Sequence, residues 1–523
     1  MKNKKIWIIV TMCVLMMITS LFTGCDTQKS EAANTNTYSG KKPKYVFLFI
    51  GDGMAMPQIT AAENYLGKLK NTNTPENSKL TFTQFPSQGM ATTYDAGSFI
   101  TDSASAGTAI ASGNKTLTGV INMDKDKTKK FTSIAEMAKK EGMKIGIVSS
   151  VSLDHATPAS FYAHQPTRSN YYDIELELGK SDFNYFAGGG FLASTGKNKD
   201  KSDAFEEAKK NGYRVINSKS EFTKLNSKSD KVIAVSPVLD NEKALPYAIN
   251  KNTEGISLAE FTQKGIEVLD NDKGFFMMIE GGKVDWAGHA NDAATSIKEV
   301  ISYDESIQKA KDFYNKHKDE TLIIVTGDHE TGGLGIGFAG TDYSTFFDKL
   351  SKQSISYDEF TKKVEDYRKN GHTPENAKIE DLLPIIKKYY GLEAMDAATY
   401  NDLYKKATDS KSPDKDAASK IGMALSPKDM DDLKTALSQS MLESSERSKD
   451  EQAKLLYGGY DPLTMTLTHI MAHKAGVGFT SYAHTGVPVP VFAIGKGQEI
   501  FNGYYDNTDI FKKMTSILDL KTE

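Results

Sequence analysis

The chain has 523 residues, 25% of them charged, a formal charge of −4 and two cysteines. That length allows one large core or several domains, and no long basic block stands out to bind nucleic acid. Cys13 and Cys25 both lie near the N-terminus, so the rest of the chain has no disulfide and must cohere through core burial and bound metals.

Taken in chain order, Lys2, Lys4 and Lys5 precede an apolar stretch, Ile6 to Leu21, that reads as an export signal. It ends in "LFTGC", which resembles a bacterial lipoprotein cleavage box. Residues 1–24 are then expected to be removed and Cys25 to carry lipid. Residues 25–42 read as a flexible polar tether. The expected location is the outer face of the cytoplasmic membrane, anchored or released.

Five apolar runs read as buried strands of a mostly parallel sheet. They are Tyr45–Ile50, Lys144–Ser150, Gly274–Glu280, Thr321–Gly327 and Val489–Gly495. Helical patterns lie between them, such as "SIAEMAKKEG" and "ATSIKEVISYDESIQKAKDFYNKH". The expected fold is α/β: a three-layer sandwich with a large central sheet and helices on both faces, spanning residues 43–523. A helical insertion is expected at about 343–459, where Lys, Asp and Ser abound. There Ser356 with Glu359 fits a capping box, and Thr373-Pro374 and Ser426-Pro427 fit helix starts. Met430, Leu433, Leu437 and Met441 form a core stripe, and "KSPDKDAASK" reads as a loop.

The strand ends are chemically uniform. Asp52 comes directly after the first strand; Asp154, His155 and Thr157 come after the second. The third delivers Glu280 and then Asp285 and His289, four apart and so on one helix face. The fourth ends in Asp328 and His329, and His484 lies just before Val489. Ligands in such sheets gather beyond the carboxyl ends of the strands. Asp and His suit zinc, whereas Asp, Thr and Glu oxygens suit magnesium. In "FITDSASAGTAIASG", Ser103 begins a run of helix-compatible residues, where a helix N-terminus favours an anion. Arg168 can grip two phosphate oxygens at once. His469, His473 and His164 read as structural, and "FAGGGF" as a tight turn or close backbone contact.

Together the motifs "GDGM", "TDSASAGTA", "HATPASFYAHQPTR", "EGGKVDWAGHA", "TGDHETGG" and "HTG" make the chain resemble the alkaline phosphatases. The resemblance implies hydrolysis of small phosphate monoesters through a phosphoserine on Ser103, with Arg168 holding phosphate. It implies two zinc ions and one magnesium per chain. One zinc would take Asp285, His289 and His484; the other would take Asp52, Asp328 and His329. The magnesium would share Asp52 and use Thr157 and Glu280. His155 and Trp286 stand where the family varies, and His155 brings a nitrogen ligand to the third site. A homodimer, a lipid-held membrane contact and phosphate scavenging are further expectations. The alternatives are a phosphodiesterase or sulfatase of the same superfamily, or a non-catalytic phosphate-binding lipoprotein.

Overall fold

The computed structural model describes residues 38–70 and 78–521. The expected signal, Cys25 and most of the tether lie outside the described residues. Ten strands form one sheet: β1 (Tyr45–Gly51), β2 (Ser87–Thr92), β3 (Lys144–Ser149), β4 (Tyr185–Gly188), β5 (Arg214–Ile216), β6 (Val232–Val235), β7 (Phe275–Gly281), β8 (Thr321–Gly327), β9 (Val489–Gly495) and β10 (Gly503–Asp506). Their order is β10-β2-β9-β8-β1-β7-β3-β4-β6-β5. Two large apolar clusters cover the two faces. One centres on Phe47, Phe49, Met277 and Ile323, the other on Val46, Leu48, Met278 and Ile324. Alternate residues of the same strands therefore feed opposite cores, which is why these strands read as unbroken apolar runs.

The sheet is parallel except at one strand. β9 pairs antiparallel with both β8 and β2, whereas its apolar run reads as one more parallel strand. The correction matters for the site. Only a reversed β9 starts at the edge where the other strands end, and that reversal puts His484 there. Pairing Gly51 with both Gly281 and Gly327 levels the ends of β1, β7 and β8. Asp52, Glu280 and Asp328 thus emerge side by side.

Helices 357–369, 379–390, 427–440 and 462–475 pack around a separate core that includes Phe360, Ile386, Leu433, Leu437 and Leu467. Ser426 forms a capping box with Asp429, and Pro427 opens the helix. Ser356 heads a helix without one, because its hydroxyl donates to Asp358 and accepts from Asn250. Thr373-Pro374 starts only an isolated turn; the helix begins at Ile379. The second half of "KSPDKDAASK" is helix, capped by Asp414. "FAGGGF" begins inside β4, and a Cβ at Gly189 would meet two carbonyl oxygens at 2.4 Å, so the close backbone approach is real. Among the described residues no helix is long and apolar enough to cross a membrane.

Candidate active site

The sheet edge brings the expected residues together. Asp52, Asp328, His329, Glu280 and Thr157 are wholly buried there. His329 Nε2 lies 3.3 Å from Asp52 Oδ1, 3.4 Å from Asp328 Oδ2 and 3.3 Å from Ser103 Oγ. Asp52, Asp285 and His329 converge closely enough to share one ion, and so do Asp52, His155 and Glu280. His155 therefore joins the group with Glu280, and Thr157 lies 3.4 Å from Asp52.

A third convergence joins Asp285, His289 and His484. Asp285 and His289 share a short helix, Lys283–His289, and sit 3.3 Å apart. Asp285 also faces His484 at 3.5 Å. Its carboxylate thus stands between two groups, where the family resemblance assigns it to one. Gly53 makes room: at φ 71°, its backbone passes so close that a Cβ would sit 2.7 Å from the Asp285 Cα.

Two backbone carbonyls orient the imidazoles. His289 Nδ1 donates to the Tyr482 carbonyl at 2.6 Å, and His484 Nδ1 to the Thr101 carbonyl at 2.8 Å. That leaves both Nε2 lone pairs pointing inward, 3.1 Å apart. Two lone pairs at that distance repel unless a cation or a proton lies between them.

Electrostatics point the same way. Burial and neighbouring carboxylates push Asp52 well above its ordinary range, Asp328 up to about 7 and Glu280 up to about 8. Burial also opposes ionisation of Asp285, but His289 and His484 outweigh it and hold the carboxyl well down. Burial and Arg168 lower His155 to about 3, so its ring is neutral. Asp52 Oδ1, Asp328 Oδ2, Glu280 Oε1 and His155 Nδ1 have no hydrogen-bond partner although fully buried. Orphaned acceptors packed this tightly, with the neutral His155 imidazole among them, fit divalent cations.

Ser103 is the first residue of helix Ser103–Ser112, and Asp102 is the N-cap, its side chain accepting from Ser105 N–H. The capping role falls to Asp102, so the Ser103 hydroxyl is spare. Asp102 also takes Arg168 Nη1 at 3.0 Å, while Arg168 Nη2 lies 3.3 Å from His155. The Asp102 partnership escapes sequence reasoning, although the residue adjoins Ser103. So does Thr331, which donates to Asp285 Oδ1, and Ser149, which donates to Glu280. Thr331 lies two residues after His329, a spacing that could have flagged it. The carbonyls of Tyr482 and Thr101 carry no sequence signal at all.

His469 and His473 stay outside these groups. His469 bonds to Asn291 at 3.1 Å, and His473 stacks on Phe338. His164 is bound by Phe131, Glu136 and Glu177.

The alkaline phosphatase family model matches residues 43–520. Alkaline phosphatase 4 of Bacillus subtilis is 30% identical over 518 residues, covering 97% of this chain and 96% of its own. Alkaline phosphatase 3 of the same organism is 30% identical, covering 91% and 89%. The crystal structure of a cold-active alkaline phosphatase from Shewanella sp. superposes with a TM-score of 0.70 at 28% identity, covering 91% of this chain and 99% of that one. The Thermus thermophilus alkaline phosphatase shares the fold, with a TM-score of 0.74 at 21% identity over 95% and 96% of the two chains. The chain belongs to the alkaline phosphatase family, metal-dependent enzymes that hydrolyse phosphate monoesters.

Proposed function

We propose that this chain hydrolyses phosphate monoesters through a phosphoserine on Ser103, using two zinc ions and one magnesium. The observation that carries the reading is the placement of Ser103. It is spared from capping, stands at a helix N-terminus, and faces His329 with Arg168 held alongside through Asp102. Asp285, His289 and His484 would hold one zinc; Asp52, Asp328 and His329 the other, with Asp285 close by. Asp52, Glu280 and Thr157 would hold magnesium, with His155 as an added nitrogen donor.

Bound there, the cations supply Lewis acidity and offset the carboxylates' charge. Arg168 presents two N–H groups to phosphoryl oxygens, and the helix N-terminus adds its own positive end. Ser103 Oγ attacks phosphorus, the ester P–O bond breaks, and the alcohol leaves with a proton. Water then adds to the phosphoserine, the Oγ–P bond breaks, and phosphate departs with the serine hydroxyl restored. The alcohol portion meets no dedicated clamp in this scheme, which suits a broad range of monoesters.

We further propose export with lipidation at Cys25, a homodimer, and a role in gathering phosphate outside the cytoplasmic membrane. The first rests on the basic–apolar leader and "LFTGC", the others on family likeness.

The test is release of p-nitrophenol from its phosphate monoester in alkaline buffer, with a chromogenic diester alongside and metal content measured per chain. Monoester turnover abolished by chelator, with a phosphate label trapped on the Ser103 peptide after acid quench, is the expected result. A label on another residue, or none, overturns the phosphoserine. Two metals per chain instead of three overturns the stoichiometry.

A further inference from the structure

A charged concavity lies remote from the site. A groove of about 870 Å³ runs between the loop at 129–132, helix Ile134–Lys140 and the C-terminal helix Thr508–Leu518. Lys42, Lys129, Lys130, Lys140, Lys512 and Lys521 line it, against the carboxylates of Glu141 and Asp519. All six lysines are exposed. Lys512 pairs with Asp509; among the described residues no salt bridge engages the other five. The chain as a whole carries −4, so this face opposes the overall sign. A net positive cluster on a negative protein is not a by-product of average composition.

Its position has two consequences. Ser112 and Gly113 line the groove, and they end the same helix that begins at Ser103. Ten residues of helix span roughly 15 Å, so groove and active site face opposite ends of it. The described chain also starts beside the groove: Tyr38 N–H donates to Ser516 in the C-terminal helix at 2.7 Å, and Lys42 is itself a lining residue.

We infer that this basic face docks the enzyme on an anionic lipid bilayer, with the active site turned outward. Clusters of four to eight lysines next to a membrane-proximal segment bind anionic headgroups, and their attraction decays within a Debye length. The exposed lysines supply the charge, and the start of the described chain at the groove's rim favours a surface near that end over a soluble polyanion. The inference rests on the proposed export signal for the nearness of a membrane at that end, whereas the electrostatic contact itself needs no lipid on Cys25.

The experiment uses residues 26–523, which retain every described residue up to 521 and lack Cys25. Sedimentation with vesicles of equal parts phosphatidylglycerol and phosphatidylcholine is compared with phosphatidylcholine alone. The expected result is roughly tenfold stronger binding to the anionic vesicles at about 0.05 M salt, lost at about 0.5 M. Lys129→Glu, Lys130→Glu and Lys140→Glu combined should cut that binding at least about tenfold and leave p-nitrophenyl phosphate turnover unchanged. Equal binding to both vesicle types, or undiminished binding by an active triple variant, overturns the inference. So does binding of soluble polyphosphate without binding of anionic vesicles. If the triple variant does not fold, lipid selectivity and salt dependence of the unaltered chain decide alone.

Discussion

The two sides of the candidate metal cluster are built differently. Asp52, Asp328, His329 and Glu280 hang from the levelled ends of β1, β7 and β8, with no side-chain exposure. Asp285 and His289 come from a short helix and His484 from a two-residue strand paired with Thr331, and the His289 and His484 side chains are 25% and 13% exposed. The first side is fixed by strand register, which cannot slip without moving two cores. The second is fixed by one two-residue strand pairing, by Thr331 on Asp285 and by a few hydrogen bonds to loop carbonyls. One cluster thus contains a rigid wall and an adjustable one, and the ion on the adjustable side should exchange first.

Ser103 faces His329 on the first side, and its loss is the largest expected effect. Ser103→Ala should lower turnover by roughly 10³-fold or more while leaving metal content unchanged, because in the proposed reaction the hydroxyl attacks phosphorus and no buried charge is left unpaired. Near-normal p-nitrophenyl phosphate turnover would remove Ser103 from the mechanism. The contrast between the walls is tested next. His329→Ala removes a wholly buried imidazole from between Asp52 and Asp328, and should cost both metal and thermal stability. His484→Ala should cost metal alone, with the unfolding temperature of the metal-free protein close to that of the parent. Matching losses of stability in both variants would show that the walls are not different in kind.

The same contrast explains what the sequence could disclose. Asp52, Glu280 and Asp328 are legible because a buried strand is an unbroken apolar run, so a carboxylate at its end stands out. Two of the strands that escape notice lack that signature, whereas β4 and β6 are apolar but only four residues long. β2 is "SQGMAT", half-exposed and interrupted by a glycine, and β5 is only three residues long. The reversal of β9 is invisible because "VPVFAIG" has the same composition in either direction, and direction is decided by partners elsewhere in the chain. Asp285 shows its tie to His289 through the four-residue spacing. Its closeness to Asp52 and His329 is a tertiary fact. The brace behind His289 is equally hidden, because a carbonyl acceptor has no residue type.

That brace gives the next prediction, smaller than the loss of a ligand. Asn291 Nδ2 donates to the Gly288 carbonyl at 3.0 Å and to the Ser481 carbonyl at 2.8 Å, so one amide ties the His289 helix to the His484 loop. His469 bonds to its other end, and the Tyr482 hydroxyl donates to the Leu456 carbonyl at 2.6 Å. The helical region therefore reaches the adjustable wall through these few bonds. Asn291→Ala should weaken the ion held by Asp285, His289 and His484 by about 10- to 100-fold, the usual cost of losing an orienting partner. The ion on the strand-borne side should be retained. Zinc loss followed against a chromogenic chelator separates the two, and parallel weakening of both ions would mean that the brace serves the whole cluster.

The smallest effect concerns the segment that leads to Arg168, and it sharpens the comparison through pH. Burial opposes protonation of His164, but Glu136 and Glu177 outweigh it and raise the imidazole to about 9. A group whose folded pKa lies above its unfolded value stabilises the fold fully below the unfolded value, and that contribution fades as pH rises through the folded one. The imidazole's ordinary value is 6.5, so the loss should run from about 6.5 to about 9. His164→Gln should flatten the decline of the denaturant midpoint across that window, and the two proteins should draw together at its alkaline end. His164 has no contact with the metal groups, so turnover per folded molecule should change less than the midpoint does. An identical pH slope in parent and variant would assign the alkaline loss of stability elsewhere. The strand-borne wall, whose carboxylates share no partner with His164, would then be the place to look.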